Sequence, residues 1–495
     1  MIMTETNQAL QGIRPFIEEQ MKIWNVPGLA VAVVKDQEII IAEGFGYRDV
    51  EARLEVTPET LFAIGSSTKA FAATTAGILA DEGKLDIDTP VKHYLPNFKM
   101  VDSFTTERVT LRDMLSHRTG LPRHDLIWFN SSLSRKEIIE RIQYLEPNRD
   151  FRTTWQYQNI MYMVAGYIVG QQLGTSWEQV VKDKIFAPLQ MHASNFSVDD
   201  SQLQSDYALP YMDEGDQVKR IPFRNLDLVG PAGSINSNLL DMAKWVMLQL
   251  NKGVYQGQQV ISEGALMETH RPHIPCELSY WGMKELTMAC YGLGWWIEPY
   301  RGHPMIHHGG NIDGFTAEVA FLPDEKVGVV ILANKNITQL PMLLSFNLFD
   351  RLLGLDELDW TARVRGTTDS TEKQVDSQEE TEETRQASTE AEVLVETIEP
   401  ETPPTHQLHE YAGTYSHPGY GDLVVEFIDD RLHATYNSIQ LLLARLNHHA
   451  FELEYTPFQV KLPATFHTDI DDRIDRIAVK MLFEPGTKDI EFVKK

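Results

Sequence analysis

Ser66 and Lys69 stand three residues apart in Ala63-Ile64-Gly65-Ser66-Ser67-Thr68-Lys69. On a helix that spacing puts a hydroxyl and an amine on one face, within reach of each other. A serine held against an amine is an activated nucleophile, suited to acyl transfer. Small and apolar residues continue to Gly83 and predict a helix with a glycine stop. Ser66 then falls at its N-terminus, where backbone N–H groups favour a developing oxyanion. A lysine amine titrates near 10.4, so a largely neutral one at pH 7 needs a shift of about 3 units, roughly 4 to 5 kcal/mol. Burial and a second cation supply such shifts, and an exposed pair has neither. Alone the spacing is a weak signal, because Ser and Lys fall three apart by chance in many surface helices.

Two further segments strengthen it. Tyr157-Gln158-Asn159 opens an apolar helical stretch (Ile160, Met163, Val164, Tyr167, Ile168) and offers a phenol to relay protons and an amide to hold a substrate carbonyl. His308-Gly309-Gly310, followed by Asn311, reads as strand. It offers a cationic or hydrogen-donating side chain beside glycines that admit a substrate close to the backbone. The candidate catalytic residues are thus Ser66, Lys69 and Tyr157, and the candidate substrate-binding residues Asn159, His308, Gly309, Gly310 and Asn311.

The elements that must position these groups are legible in outline. Leu10, Ile13, Phe16, Ile17 and Met21 recur at helical spacing between Gln8 and Trp24. Leu29 to Val34 and Ile39 to Ala42 then predict a β-hairpin. Helical patterns dominate from about Ser66 to Leu250. Strand runs occupy Tyr291 to Asn334, and Gln339 to Leu353 predicts an amphipathic helix. Helices and strands at both chain ends, with helices inserted between, make an α+β domain over 1–360. Residues 366–405 are rich in Ser, Thr, Gln and Glu and nearly free of aromatics, the composition of an acidic disordered linker with a root-mean-square span of roughly 35 Å. Over 406–495 short alternating runs between turn residues predict a small all-β barrel or sandwich.

The chain of 495 residues is too long for one core, in keeping with a large domain and a smaller one. Hydrophobic residues make up 42% and aromatics 9%, enough for a sizeable core. The formal net charge of -27 opposes binding to nucleic acid or anionic lipid, since both are polyanions. Cys276 and Cys290 are the only cysteines, too few for a disulfide framework, and are expected as packed thiols. The N-terminus lacks the pattern of a secretory signal, and no run of about 18 apolar residues occurs, so a cytoplasmic protein with no membrane association is expected. A homo-oligomer is left open.

The order and spacing of the three active segments resemble the β-lactamase-related serine hydrolases: class C β-lactamases, DD-peptidases, certain esterases and D-aminopeptidases. SxxK is a signature of β-lactamases and penicillin-binding proteins. The resemblance runs from about Gln8 to Leu353. It includes Thr110-Leu111-Arg112-Asp113-Met114-Leu115-Ser116-His117-Arg118-Thr119-Gly120-Leu121-Pro122, Gly230-Pro231-Ala232-Gly233-Ser234 and Tyr291-Gly292-Leu293-Gly294-Trp295. It implies that Ser66 attacks the acyl carbon, that Lys69 and Tyr157 share acid/base work and that Asn159 positions the substrate. It also implies an oxyanion hole formed by the backbone N–H groups of Ser66 and Asn311. His308 stands where β-lactamases and many penicillin-binding proteins have the lysine of Lys-Thr-Gly. That departure resembles the esterase and peptidase branch and argues against efficient β-lactam turnover. The C-terminal module is similar to the lipocalin-like barrels appended to some peptidases of this family, on its strand pattern and Tyr411-Ala412-Gly413-Thr414-Tyr415.

The chemistry calls for no cofactor. A metal is not expected either, because strand alternation puts His307 and His308 on opposite faces and no partnering Asp, Glu or Cys set is evident. Trp281, Trp295 and Trp296 are read mainly as core, and His117 as a structural residue holding its loop. GxSxG is absent around Ser66, which excludes an α/β-hydrolase. The expected activity is hydrolysis of an ester or amide through a Ser66 acyl-enzyme, on a short peptide, D-residue peptides among them, or a short-chain ester. A DD-peptidase or β-lactamase is the second reading. The third is an inactive scaffold of the same fold, opposed by the joint presence of Ser66, Lys69, Tyr157 and His308.

Overall fold

The computed structural model describes residues 9–276, 286, 288–365, 406–447, 449–455 and 460–495. The segment read as linker, 366–405, and Trp281 lie outside the described residues. The described chain divides into two compact units, one taking residues up to 98, 104–120 and 149–365, the other 99–103, 121–148 and the C-terminal residues. Residues 121–148, inside the stretch read as the hydrolase domain, therefore group with the C-terminal barrel.

The first unit is built on a nine-stranded antiparallel sheet. Its strands are β1 (Gly28–Lys35), β2 (Glu38–Asp49), β3 (Leu54–Glu55), β4 (Ile274–Cys276), β5 (Ala289–Tyr291), β6 (Trp296–Tyr300), β7 (His303–Ile312), β8 (Phe315–Leu322) and β9 (Val327–Ala333). Their spatial order is β4-β5-β6-β7-β8-β9-β1-β2-β3. β1 and β9 pair from Leu29 opposite Ala333 to Lys35 opposite Val327, which closes the two ends of the domain's sequence against each other. Both are nearly continuous apolar runs, as strands covered on both faces require.

Helices α1 (Ile13–Ile23) and α5 (Leu340–Leu353) bury Ile13, Ile17, Met21, Leu344 and Leu348 with Val31, Val33, Val329 and Ile331 of the sheet. Helices α2 (Thr68–Asp81), α3 (Asn159–Gln172) and α4 (Leu239–Leu250) form the helical region. Phe71 of α2 stacks on Trp245 of α4 with ring centroids 3.8 Å apart. Nearly every residue of α2 is buried, which explains its lack of a polar face and makes a lysine on it exceptional. Cys276 and Cys290 are buried free thiols. Trp295 is buried against Trp245 and Phe321, whereas half-buried Trp296 packs with Trp155 and Tyr291.

In the second unit eight strands, β10 (Gly413–His417), β11 (Gly421–Ile428), β12 (Arg431–Tyr436), β13 (Ile439–Asn447), β14 (Ala450–Tyr455), β15 (Val460–Thr468), β16 (Ile474–Val479) and β17 (Ile490–Lys494), follow one another in a closed barrel. Pairing of β10 with β17 completes it and removes the sheet edges. Inward residues alternate along the strands, Leu432, Ala434 and Tyr436 on β12 for example. Segment 121–148 is bonded to this barrel. Tyr420 donates to Nδ1 of buried His124 at 2.7 Å, and His124 Nε2 donates to the Glu146 carbonyl at 3.1 Å. Asn437 donates to the Leu126 carbonyl at 2.9 Å, and the Arg123 amide to Glu484 at 2.8 Å. Among the described residues no helix is long and apolar enough to cross a membrane.

Candidate active site

Gly65–Ser67 form one 3-10 turn that runs straight into α2. Ser66 is therefore presented just before the helix proper rather than in its first turn. Gly65 has φ +51°, and a Cβ there would fall 2.9 Å from the amide nitrogen of Asn311, so only glycine suits the approach of the turn to β7. A Cβ on Gly310 would sit 1.9 Å from the Ile64 carbonyl oxygen and 3.0 Å from the Ser66 nitrogen. Ser67 Oγ ties the same turn to the His308 carbonyl at 2.9 Å. The backbones of Ser66 and Asn311 are thus brought side by side, the arrangement an oxyanion hole needs.

Lys69, one turn along α2, is fully buried. Its Nζ donates to Asn159 Oδ1 at 2.7 Å and to the Ala232 carbonyl at 2.7 Å, and stands 3.3 Å from Ser66 Oγ. The Tyr157 ring centroid lies 4.6 Å from Nζ. Gln158 caps α3 by accepting from the Ile160 amide, which places Asn159 on the first turn, facing Lys69. Asn159, read as a substrate ligand, thus holds the lysine as well.

Tyr157 is set between two ties to one residue. The carbonyl of His117 accepts from the Gln156 amide at 2.8 Å, and its ring Nδ1 accepts from the Gln158 amide at 3.0 Å. The imidazole also lies against the Tyr157 ring, centroids 4.3 Å apart. His117 itself has φ +58°, and its loop is anchored where buried Asp113 accepts from Arg118 at 2.6 Å and from Arg152 at 2.8 Å.

On β7, His308 and Gly310 approach the nucleophile turn, and His307 lies on the other face. His308 is only 2% exposed. Its Nδ1 is 2.6 Å from the Gly309 carbonyl and must carry the hydrogen, so Nε2 accepts from the Tyr291 hydroxyl at 2.8 Å. Burial, and next the neighbouring Lys69, push His308 down to about 3. The cation allowed by the sequence reading is thereby corrected to a neutral ring with both nitrogens engaged. Gly309 faces Glu318, whose Oε2 would be 3.0 Å from a Cβ at that position.

His307 lies 2.9 Å from Glu318 and 3.4 Å from Glu298, a buried carboxylate pair that the sequence reading did not find. Among the described residues no group of three or more His, Cys, Asp or Glu side chains is placed to hold a metal. His117, read as holding its loop, also flanks Tyr157, and Tyr291 and Ala232 were missed as site residues. Each lies in a segment that matched the family pattern, and that was their only signal.

The buried imidazoles predict an asymmetric pH dependence of stability. Burial lowers His124 to about 4 and His270 and His308 to about 3. An unfolded chain takes up protons at these rings from about pH 6.5. Their stabilisation is therefore complete above that pH and lost as pH falls through it towards 4. For His307 burial opposes the charge, but Glu298 and Glu318 outweigh it and raise the ring to about 10. Its contribution is complete below about pH 6.5 and lost as pH rises towards 10. Urea midpoints are expected to fall on the acid side first, by on the order of 1 kcal/mol per pH unit per neutral ring. A midpoint constant from pH 7 to 4.5 contradicts this.

The chain is similar to known proteins over most of its length. The Beta-lactamase family matches residues 13–343, about two thirds of the chain. The chain belongs to the β-lactamase family. It is a serine hydrolase of that family, and residues 398–494 match a separate domain of unknown function, DUF3471. The "Unguisins hydrolase ungD" of Aspergillus violaceofuscus is 31% identical over 86% of this chain and 79% of its own length. "Unguisins hydrolase ungD'" of Aspergillus campestris is 28% identical over 97% and 90%. Among solved structures, an octameric penicillin-binding protein homologue from Pyrococcus abyssi shares the fold over 97% of this chain and 99% of its own, with TM-score 0.62 and 24% identity. A class C β-lactamase does so over 72% and 99%, with TM-score 0.58 and 23% identity.

Proposed function

We propose that this β-lactamase-family enzyme hydrolyses esters or amides of short acyl or peptidyl groups, D-residue peptides among them, through an acyl-enzyme on Ser66. The observation that carries the reading is the contact of buried Lys69 with Ser66. Around Nζ, Asn159 Oδ1 and the Ala232 carbonyl only accept, while the Ser66 hydroxyl can donate or accept. Moving the proton from Ser66 Oγ to Nζ reverses that one bond and leaves the other two in place. Oγ then bonds to the acyl carbon, and the carbonyl electron pair moves onto the oxygen between the Ser66 and Asn311 amides. Collapse breaks the bond to the leaving oxygen or nitrogen, which takes a proton through Tyr157. Water repeats the sequence, releasing a carboxylic acid and restoring Ser66.

The test is partitioning between water and added methanol for esters sharing one acyl group but differing in leaving group. A common acyl-enzyme gives one ratio of acid to methyl ester across the series. A ratio that changes with the leaving group contradicts it. Nitrophenyl esters, D- and L-aminoacyl anilides, penicillin and unguisins form the substrate panel, the last because two relatives are named for their hydrolysis.

In this mechanism His117 acts through Tyr157. His117→Ala is expected to lower kcat roughly 10- to 100-fold, as small misplacements of a reacting group do, with KM little changed. His117→Asn, which keeps an acceptor for the Gln158 amide, should recover part of the loss. Equal kcat in all three proteins contradicts the assignment.

A further inference from the structure

We infer that Gln156 is a positioning residue for Tyr157, and that the barrel unit takes part through it: a turn at 484–488 holds both ends of segment 121–148 and so fixes the neck of chain to which Gln156 is tied. The inference rests on the reading of Tyr157 as the proton donor to the leaving group and names what holds that donor. Residues 155–158 belong to no helix or strand, so repeating backbone bonds cannot place Tyr157. Single bonds to its neighbours must. One pair of these goes to His117. The other tie is the side chain of Gln156, only 8% exposed, whose Nε2 donates to the Gly120 carbonyl at 2.8 Å.

Gly120 is the last residue before the chain leaves the first unit, and Arg149 the first on its return. The Gly120 carbonyl also accepts from the Arg149 amide at 3.3 Å, and the Arg118 carbonyl from the Arg152 amide at 2.9 Å, so the outgoing and returning chain are bonded side by side. Gly120 has φ +85°, and a Cβ there would strike the Arg149 carbonyl oxygen, which leaves this neck no slack. Within the second unit, one turn between β16 and β17 holds both ends of the excursion. Glu484 accepts from the Arg123 amide at 2.8 Å, the Pro485 carbonyl from Asn148 Nδ2 at 3.1 Å, and Lys488 pairs with Glu146 at 3.0 Å. The turn is closed on itself, because the Thr487 amide and hydroxyl both donate to the Glu484 carbonyl, at 3.2 and 2.7 Å. Releasing it frees the neck to spread, and Gln156 carries that displacement to Tyr157. A shift too small to unfold the protein still slows a proton transfer that needs hydrogen-bond geometry.

The test compares the nitrophenyl and ethyl esters of whichever acyl group the substrate panel shows to be turned over. Nitrophenolate departs without a proton and ethoxide needs one, so a misplaced Tyr157 slows the ethyl ester selectively. Tyr157→Phe is the reference, with kcat/KM expected to fall about 100-fold for the ethyl ester and about 10-fold or less for the nitrophenyl ester. Gln156→Ala is expected to cost about 10-fold and less than about 3-fold respectively, and the exposed double variant Glu484→Ala/Asn148→Ala about 5-fold and less than about 2-fold. Combining all three substitutions should cost no more than Gln156→Ala alone, because they cut one path. A folded Glu484→Ala/Asn148→Ala or Gln156→Ala protein that keeps the native ratio between the two esters overturns the inference. So does an equal loss on both esters, the mark of a merely structural role. If Gln156→Ala does not fold, the exposed double variant decides alone. A native ratio in Tyr157→Phe overturns the proton-donor reading and the inference with it, whereas a selective loss there alone overturns only the inference.

Discussion

Ser66→Ala is expected to lower kcat/KM by about 10⁴-fold or more, with the thermal midpoint nearly unchanged. The kinetic loss is large because the hydroxyl oxygen is the atom that forms the acyl bond, and no neighbouring group can replace it. The structural cost is small because Ser66 is only half-buried and its oxygen lies farther from Lys69 Nζ, at 3.3 Å, than Asn159 Oδ1 or the Ala232 carbonyl, each at 2.7 Å. Steady-state kinetics beside a thermal melt checks both halves. A variant that retains turnover, or that loses it only by unfolding, contradicts the account.

Lys69→Met comes next, with an expected loss in kcat/KM of about 10³-fold. Methionine fills similar space but neither accepts the Ser66 proton nor returns it. Here stability also responds. The Asn159 and Ala232 oxygens lose an N–H donor in a buried place, at about 1 to 3 kcal/mol each. That cost is offset in part because no lysine need be stripped of water. The double variant Ser66→Ala/Lys69→Met should be no slower than Ser66→Ala alone, because groups that act as a unit are not additive. Additive losses mean that the lysine works independently of the serine.

How far the sequence carried this account depends on whether a feature is local. The Ser66 and Lys69 spacing, the β1–β2 hairpin and the start of α3 are set by neighbours in the chain, and each lies where its pattern predicts it. The barrel follows from alternation and regular turns. What could not be read depends on partners brought together by the sheet. His308 is neutral because the fold buries it, next beside Lys69, and Tyr291, 17 positions earlier, supplies the hydroxyl its ring meets. His307 gains its carboxylates from β6 and β8, which no spacing rule connects to it. Ser66 falls in a 3-10 turn because Gly65 must bend the chain against Asn311, a contact across the fold. Residues 121–148 group with the barrel through single hydrogen bonds such as His124 to Tyr420, nearly 300 positions apart.

The most direct test of the central claim is the mass of the intact protein after reaction with a fluorophosphonate, followed by peptide mapping. One adduct per chain is expected, on the peptide carrying Ser66, formed far more slowly in Lys69→Met. A folded native protein that stays unlabelled, or that carries the adduct on another residue, contradicts it.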